Sequence, residues 1–434
     1  MTRKKLNVSV AILIGAFAAA FSSGAHAQTA TNDDFTLGHD NNSWQPFDGA
    51  CLTAGDGSGN IPPCIGLPYY GGQIQLGGNS GYLGGTTAPS SAATQVPDPP
   101  GQGALRFTNW YGQAGSIISS GTPFPSGAGL QVIFKTVTYL GDSGGGGGDG
   151  ADGIGFFLMD GGSPPYDTGA FGGSLGYTCS NTNNDSNVRP ADGTRRGFDG
   201  LANAYLGLGI DEYGNFLNSG DNTASGDPAA SGVGQYQPGR IGLRGAGSIA
   251  WKQLTALDSV KYPSTLTDVA PDYQRSSAVQ NTCRTGFLWD YSNLSAPVQT
   301  TTPVLDYPAV PGAYTILNTV LPGQNIANET ATNRNPISAT NPNGATPITY
   351  NLKITQNGIL SLYISYGGGS YLPVITGQSI TALGEAEPSS FRFGFTGSTG
   401  GSRNIHEILC FQATPADVAG TSVGVNQQEA TKVA

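Results

Sequence analysis

Two short motifs hold the residues whose types and spacing could do chemistry. In the first, Asp152 precedes an apolar run, and the glycine-rich stretch Gly172–Gly176 follows it. In the second, Asp211, Tyr213 and Asn215 form an acid-aromatic-amide pattern at the end of another apolar run. Carboxylate, amide and main-chain oxygens around a flexible turn are the ligands that calcium prefers. The sequence therefore predicts a small polar site on a β-scaffold.

Some strings resemble catalytic motifs, but each lacks a necessary partner. Ser143 lies in a protease-like Gly-Asp-Ser-Gly string, which needs a histidine base, and His39 lacks the sequence that surrounds such a base. Ser174 fits a nucleophile-elbow pattern with His406 as a formal partner, yet no helical pattern follows it. His406 also begins a His-Glu-x-x-His zinc motif, whose last position is Cys410 instead.

Glycoside hydrolysis is a further alternative because it uses a pair of carboxylates on either side of the sugar. Asp211 and Glu212 are adjacent in the sequence. Adjacent residues of a strand point to opposite faces, so these two acids are not expected to line one cleft. A hydrolase is therefore kept as an alternative without an identified acid pair.

Composition limits what the chain can build and bind. It has 434 residues, with 67 Gly, 28 Pro and only 11% charged residues. Such a chain favours strands joined by tight turns over long amphipathic helices. The formal net charge of −10 argues against nucleic acid as a partner.

The N-terminus predicts export. Residues 1–27 contain the basic Arg3–Lys5, an uncharged apolar run and an Ala25–Ala27 cleavage pattern, as a secretory signal peptide does. No later apolar segment is long enough to predict a membrane span. We therefore expect a protein that is secreted, periplasmic or at the cell surface after cleavage near Ala27.

The cysteines of an exported chain are expected to form disulfides. Cys51 and Cys64 flank a Gly/Pro-rich loop and are the first predicted pair. Cys179 and Cys283 lie in loop-like surroundings and are the second. Cys410 lies in an apolar run and is predicted to be a buried free thiol.

The strand pattern predicts an all-β fold, an antiparallel β-sandwich with long loop insertions. Apolar and β-branched residues suited to strands occur over 103–109, 115–118, 130–137, 154–159, 240–245, 314–317, 350–366, 391–395 and 405–411. Asn357-Gly358 is a signal for a two-residue hairpin turn within 350–366. Residues 396–404 are predicted to form a loop.

Composition also divides the chain into parts. After the signal peptide, residues 28–102 read as a glycine-rich extension with edge strands, and 103–413 as the sandwich. A Pro/Thr/Asn-rich insertion at about 251–347 interrupts the sandwich. The polar tail 414–434 is expected to be disordered.

The motifs occur in one order: Ala151-Asp152, Gly172–Gly176, Asp211–Asn215, Ile241–Gly245, Phe393–Gly401 and His406–Ile408. In that order they resemble the legume-type (L-type) lectin domain, a concanavalin A-like jelly roll, in the form found in secreted bacterial proteins. The resemblance extends over about 103–411, apart from the insertion. It implies a sugar site next to a calcium site.

The resemblance implies specific roles on the sugar side. Asp152 is similar to the aspartate that accepts hydrogen bonds from two sugar hydroxyls, and Gly173, or Gly172, to the glycine whose N–H donates to the sugar. Tyr213 resembles the aromatic residue under the apolar face of the sugar, and 398–404 the loop that varies with specificity. The expected sugar-binding residues are Asp152, Gly172, Gly173, Tyr213, Asn215, Ser398, Gly400 and Gly401.

The resemblance also implies calcium ligands. These are Asp211, Tyr213 through its carbonyl, Asn215 and Asp221. Asn218 is the alternative to Asp221, which as a carboxylate is the better ligand for a hard cation. Plant members of the family have a Glu two residues before the aspartate and a downstream His for a transition metal. Here that position is Gly209 and no His follows nearby, so calcium (Ca2+) alone is expected.

The expected function is that of a secreted, calcium-dependent carbohydrate-binding protein, lectin-like or adhesin-like and not an enzyme. Its expected partners are glycans, whether free, on cell surfaces or in polysaccharides, and not nucleic acid or a membrane interior. The sequence leaves oligomerisation open. The alternatives are a glycoside hydrolase on the same scaffold and a structural surface or matrix protein with a degenerate lectin site.

Overall fold

The computed structural model describes residues 30–64, 97–109, 113–142, 150–165, 168–170, 172–179, 199–214, 216, 239–246, 249–259, 282–283, 285–290, 293, 298–303, 317–320, 331–380, 387–400 and 402–416. The expected signal peptide and nearly all of the tail predicted to be disordered lie outside these residues. None of the helices within the described ranges is long and apolar enough to cross a membrane.

Strands dominate the described residues. In chain order they are β1 (Thr31–Asp34), β2 (Trp44–Phe47), β3 (Cys51–Leu52), β4 (Leu105–Thr108), β5 (Ala114–Ser119), β6 (Phe124–Pro125), β7 (Leu130–Asp142), β8 (Gly153–Asp160), β9 (Ala204–Asp211), β10 (Arg240–Arg244), β11 (Phe287–Asp290), β12 (Val298–Pro303), β13 (Leu317–Val320), β14 (Asn333–Pro336), β15 (Gly344–Ala345), β16 (Ile348–Ile354), β17 (Ile359–Tyr366), β18 (Leu372–Ser379), β19 (Ser390–Ser398) and β20 (Arg403–Thr414). A short helix, α1, spans Trp251–Leu257.

Two antiparallel sheets form the sandwich, which confirms the predicted fold class. The first, named here the β7 sheet, has the order β18-β17-β16-β7-β20-β4-β3, and β1 also pairs with β20. The second, the β8 sheet, has the order β13-β10-β9-β8-β19-β5-β2, and β6 also pairs with β19. The glycine-rich N-terminal part of the chain thus supplies strands to both sheets.

An aromatic core joins the two sheets. The ring of Phe134, on β7, stacks on that of Phe156, on β8, with centroids 5.6 Å apart. It also meets Phe395, on β19, edge-on at 5.2 Å. Rings of this size bury a large apolar area and favour such offset or edge-on pairs. The alternating phenylalanines of β19 therefore hold the sheets together.

The outer face of the β8 sheet is covered as well. Ile154 and Phe156 of β8 belong to the core between the sheets, whereas Phe157 and Met159 belong to a second buried cluster with Tyr177. Because strand side chains alternate between faces, a strand buried on both faces needs a continuous apolar run. This explains why β8 reads as uninterrupted apolar sequence.

The outer face of the β7 sheet carries a buried ion-pair network. Arg106 Nε, on β4, donates to Glu407 Oε1, on β20, at 2.8 Å. Arg334, on β14, donates through Nε to Glu407 Oε2 at 2.6 Å and through a terminal nitrogen to Asp98 at 2.7 Å. Tyr139 Oη also donates to Glu407 at 3.2 Å. Part of the predicted insertion is thereby fixed to the sheet.

The predicted strands agree with observed ones except at two turns. The strand expected over 314–317 coincides with β13 only at Leu317, because 304–316 lie outside the described residues. The predicted hairpin between β16 and β17 is present, but the prediction of a two-residue turn is wrong. Gly358 has a positive φ of 66° and Asn357 does not, and Gly358 N donates to Thr355 O at 2.9 Å. A two-residue type I′ turn needs positive φ at both central residues, so the turn is longer than predicted.

The second difference is the loop predicted over 396–404. Strand β19 continues to Ser398, and β20 begins at Arg403. Backbone pairing of Ser398 with Ala114 and Gly153 extends the strand beyond its apolar residues. The connection is therefore shorter than expected, and Ser398 and Asn404 belong to strands.

Both predicted disulfides are confirmed. Cys51 bonds to Cys64, and Cys179 bonds to Cys283 across a sequence separation of 104 residues. Cys410 is free, as predicted, but it is only partly buried because it lies on the outer side of β20. Burial raises the pKa of its thiol.

Candidate functional site

The register of three neighbouring strands brings the two motifs together. Gly153, the first residue of β8, pairs with Asp211, the last residue of β9. On its other side Gly153 pairs with Ser398, the last residue of β19. Residues far apart in the sequence therefore meet at one end of the β8 sheet, and this end is the candidate site.

Asp152 is fixed by its backbone at this end. Its N–H donates to Ser398 O at 2.7 Å, and its carbonyl accepts the N–H groups of Glu212 and Tyr213 at 3.1 and 3.2 Å. The peptide bond between Ala151 and Asp152 is cis. The side chain is buried, with 2% of its surface exposed. Asp152 therefore joins the two motifs directly.

The glycine stretch forms a tight turn beside Asp152. Gly172–Ser174 is a 3₁₀ turn whose three residues are buried. Gly172 has a φ of 66°, a conformation that glycine adopts without steric cost. A Cβ added to Gly172 would lie 3.9 Å from Asp152 Oδ2, and Ser398 Oγ donates to Gly172 O at 2.6 Å. The turn, Asp152 and the end of β19 thus form one packed unit.

The connection after β19 is held by Gln113. Thr399 N donates to Gln113 O at 2.8 Å, and Gln113 N donates to Thr399 Oγ1 at 2.9 Å. Gly400 N donates to Ser402 O at 3.2 Å. Of the predicted sugar-binding residues here, Ser398 uses its hydroxyl within the fold, Gly400 lies in the connection, and Gly401 lies outside the described residues.

Asp211 organises the turn that carries the second motif. Its Oδ1 accepts Gly214 N–H and its Oδ2 accepts Phe216 N–H, both at 2.8 Å. Gly214 has a φ of 92°. Asp211 itself is 4% exposed. The carboxylate therefore caps the turn, and the backbone of Tyr213 is held between Asp211 and Asp152.

The packing of Phe216 explains why glycine occupies position 209. A Cβ added to Gly209 would lie 2.3 Å from Phe216 Cδ1 and 2.7 Å from its Cγ, which is closer than atoms can approach. Arg244 lies over the same ring at 5.2 Å and donates to Phe216 O at 2.6 Å. A glutamate at this position would have to displace the ring. The packing of Phe216 in this turn thus explains why position 209 carries no glutamate.

A buried polar cluster lies behind the site, between the two sheets. Glu212 Oε2 accepts Asn404 Nδ2 at 2.5 Å and lies 2.8 Å from His406 Nε2. His406 Nδ1 lies 2.6 Å from Thr108 Oγ1, on β4. Burial raises the pKa of Tyr350 well above its usual value, and the nearby Tyr366 and Glu212 raise it by smaller amounts. Asp211 and Glu212 therefore contact different surroundings, one toward the turn and the other toward the core.

In the described part of the chain, the residues of the esterase-like and zinc-like strings are not arranged for catalysis. Ser174 is fully buried and its Oγ donates to Cys179 O at 3.2 Å. Both ring nitrogens of His406 contact other groups, Glu212 and Thr108. His406 and Cys410 lie on a strand, whereas the zinc motif needs a helix to bring its two ends to one face.

The predicted calcium ligands are placed only in part. Asp211 and the Tyr213 backbone lie in the same turn, and both offer the hard oxygens that calcium prefers. Asn215, Asn218 and Asp221 lie outside the described residues. Within the described ranges no cluster of three or more His, Cys, Asp or Glu side chains is placed to hold a metal ion. The donor types present fit calcium, with each Asp211 oxygen already oriented by a backbone N–H.

Sequence reasoning missed the residues that support the site. Glu212 was considered only as half of an acid pair, and His406 only as part of a zinc motif or a catalytic pair. Arg244 and Asn404 were noted as parts of motifs without a role. The available signal was that Glu212, which directly follows β9, and His406, in β20, each lie next to another acid, and strand alternation sends one side chain of such a pair inward.

The known proteins that resemble this chain were found among the solved structures. No protein-family model matches the chain, and no curated protein does. The chain resembles the seed lectin of Lotus tetragonolobus, with 11% identity, a TM-score of 0.39, and coverage of 89% of this chain and 97% of that one. It also resembles the exoplasmic/lumenal domain of VIP36 in a Ca2+/Man3GlcNAc-bound form, with 11% identity, a TM-score of 0.34, and coverage of 74% and 83%.

A third likeness is to lectin I-B4 from Griffonia simplicifolia in a metal-free form. It has 13% identity and a TM-score of 0.33, and covers 72% of this chain and 87% of that one. At identities and TM-scores this low, these likenesses carry no conclusion about ligand or activity. The functional argument therefore depends on the geometry of the site.

Proposed function

We propose that this chain is a non-catalytic carbohydrate-binding protein whose sugar site is centred on Asp152. One observation carries the proposal, the register that places Gly153 between Ser398 and Asp211. It gathers a carboxylate, a glycine turn and an acid-capped turn at one end of a sheet. These are the groups to which the resemblance noted in the sequence gives roles in a lectin site.

The chemistry of these groups suits a sugar. An ionised carboxylate such as that of Asp152 accepts hydrogen bonds from two neighbouring hydroxyls, and charged hydrogen bonds are the stronger ones. The N–H of Gly173, or of Gly172, is the proposed donor. Tyr213 would supply an apolar ring face, with Asn215 and the connection containing Gly400 completing the contacts. Because the backbone is already fixed, less conformational entropy is lost when the sugar binds.

Calcium is the proposed cofactor. Asp211, the Tyr213 carbonyl, Asn215 and Asp221 would hold it, and when bound it would stabilise the turn and the residues that follow it. The described backbone already holds the first part of that turn through Gly214 and Phe216. The ion would therefore extend an existing arrangement.

The proposed location is outside the cytoplasm, where glycans on cells or in polysaccharides are accessible. Two disulfides support this, because they persist in oxidising compartments. The basic, apolar and Ala25–Ala27 pattern of residues 1–27 supports it as well.

A glycan array with and without a calcium chelator tests the proposal. Asp152→Asn keeps the backbone hydrogen bonds and removes the charge, so it should weaken binding by roughly 1.5–3 kcal/mol, tenfold or more, without a large change in melting temperature. Asp160→Asn, at the other end of β8, is the matched control and should bind as the wild type does. Glycan binding that survives Asp152→Asn unchanged would contradict the assignment.

One observation favours a second candidate, a structural surface or matrix protein with a degenerate lectin site. The Asp152 side chain is 2% exposed, so a sugar must displace what covers it. Wild-type protein that binds no glycan at any calcium concentration would favour this candidate. Release of reducing sugar from polysaccharides would instead indicate a hydrolase.

A further inference from the structure

Glu212 occupies an unusual position between the two proposed halves of the site. Its neighbours Asp211 and Tyr213 are proposed calcium ligands, yet its own side chain turns away from them into the space between the sheets. There Oε2 accepts Asn404 Nδ2 at 2.5 Å and lies 2.8 Å from His406 Nε2.

The contacts of Glu212 join separate segments of the site. Its N–H donates to Asp152 O at 3.1 Å, which ties the turn to the start of β8. Asn404 is the second residue of β20, and a Cβ added to Gly150 would fall 2.1 Å from Asn404 Nδ2. Thr108 Oγ1 donates to Asn404 O at 2.9 Å. Glu212 and Asn404 together thus link the second motif, the approach to Asp152 and the beginning of β20.

Stability alone does not account for a carboxylate at this position. Glu212 is 1% exposed, and its Oε1 has no hydrogen-bond partner in the described part of the chain. Burying a charge carries a desolvation cost, and apolar residues of similar volume are often neutral or better at such sites. Departures from a well-satisfied core concentrate at functional sites. The position therefore points to a role in the site.

We propose that Glu212 is a positioning residue that holds the Asp211–Tyr213 turn against Asp152 and the start of β20 before any ligand binds. Its backbone N–H orients the Asp152 carbonyl. Its carboxylate fixes the position of the turn after β9 relative to Asn404 and His406. The inference rests on the proposed calcium and sugar site. Residues that orient metal ligands typically change metal affinity by roughly 10–100-fold when they are replaced.

The test compares Glu212→Leu and Glu212→Gln with Glu407→Gln in the full chain. Glu407 is the matched control because it is an equally buried acid next to His406, but it contacts Arg106 and Arg334 on the opposite face of the β7 sheet. Calorimetry measures calcium affinity, and terbium luminescence reports the same ion site. Hydrogen exchange of the amides of 212–216 and 399–402 measures positioning without any ligand.

Glu212→Leu should weaken calcium affinity by about 10–100-fold and speed exchange in both segments. Glu212→Gln should lose less, because its amide oxygen can still accept from Asn404, so it also serves if the leucine variant does not fold. Glu407→Gln should lower the melting temperature while the calcium affinity of the folded protein stays unchanged.

Two results would overturn the proposal. One is a folded Glu212→Leu protein with wild-type calcium affinity and wild-type exchange. The other is an equal loss of calcium affinity in the Glu407→Gln control, which would indicate general destabilisation. Wild-type protein that binds neither calcium nor glycan would refute the proposed function instead, and the exchange comparison would still decide whether Glu212 positions the turn.

Discussion

Replacing Arg334 by Met tests how the segment that contains β14 is held on the β7 sheet. Arg334 donates to both oxygens of Glu407, at 2.6 and 2.7 Å, and to Asp98 at 2.7 Å. Methionine fills a similar volume without charge, so two buried carboxylates lose a partner. Removing one member of a buried pair costs about 3–5 kcal/mol. Glu407 retains Arg106, so we expect a loss near the lower end, about 3 kcal/mol.

Equilibrium unfolding in urea, followed by intrinsic fluorescence, measures this loss. The midpoint should fall while the slope stays constant, which identifies a change in stability. Arg240→Met, at the partly exposed start of β10, is the control for losing an arginine. In the double variant Arg334→Met/Glu407→Gln, the loss should be smaller than the sum of the single losses, because residues of one network are coupled.

A small effect would refute the reasoning. Exposed ion pairs contribute at most about 1 kcal/mol and are screened by salt. A loss for Arg334→Met within that range, or one that disappears at high salt, would mean that the network behaves as a surface pair. Additive losses in the double variant would show that Arg334 and Glu407 do not act on each other.

Three further predictions follow from particular contacts. Burial raises the pKa of Glu407, but Arg334 and Arg106 outweigh this effect and hold the pKa below 4.5. The stability that this carboxylate contributes is therefore present above pH 4.5 and falls as the pH drops through the folded-state pKa. Urea titrations at a series of pH values should show this fall in the wild type and not in Glu407→Gln. Gly209→Ala should cost about 1–3 kcal/mol in thermal unfolding because its Cβ meets the Phe216 ring, and an unchanged melting temperature would contradict that packing. Millimolar calcium should raise the melting temperature of the wild type relative to chelator, as any ligand specific to the native state does, and no shift would count against Asp211 as a ligand.

Many of the strands in the two large sheets were predictable because their signals are local. The alternating phenylalanines of β19 and the β-branched run of β7 each indicate a strand without knowledge of the partner. The two disulfides followed from cysteines in loop-like surroundings. The polar motifs around Asp152 and Asp211 were also visible, since acids at the ends of apolar runs are locally conspicuous.

What could not be predicted depends on contacts between distant residues. Nothing near Ser398 in the sequence indicates that pairing with Gly153 extends its strand. The proposed role of Glu212 depends on Asn404 and His406, which lie almost two hundred residues further along the chain. The glycine at position 209 can be explained only once the Phe216 ring is seen to lie over it. Such pairings follow from topology, which local patterns do not encode.

The positions of β19 and β20 have a consequence for how the chain folds. Each of these two late strands lies in the interior of one sheet. Strand β19 lies between β8 and β5, and β20 lies between β7 and β4. The β8 sheet lacks a central strand until residue 398 has been synthesised and the β7 sheet until residue 414, so folding depends on contacts of long sequence separation and should be slow. A shortened chain that lacks 390–414 would expose unpaired edges on β4, β5, β7 and β8, which are templates for aggregation. The sandwich is thus completed from its centre, by the last two strands of the described residues.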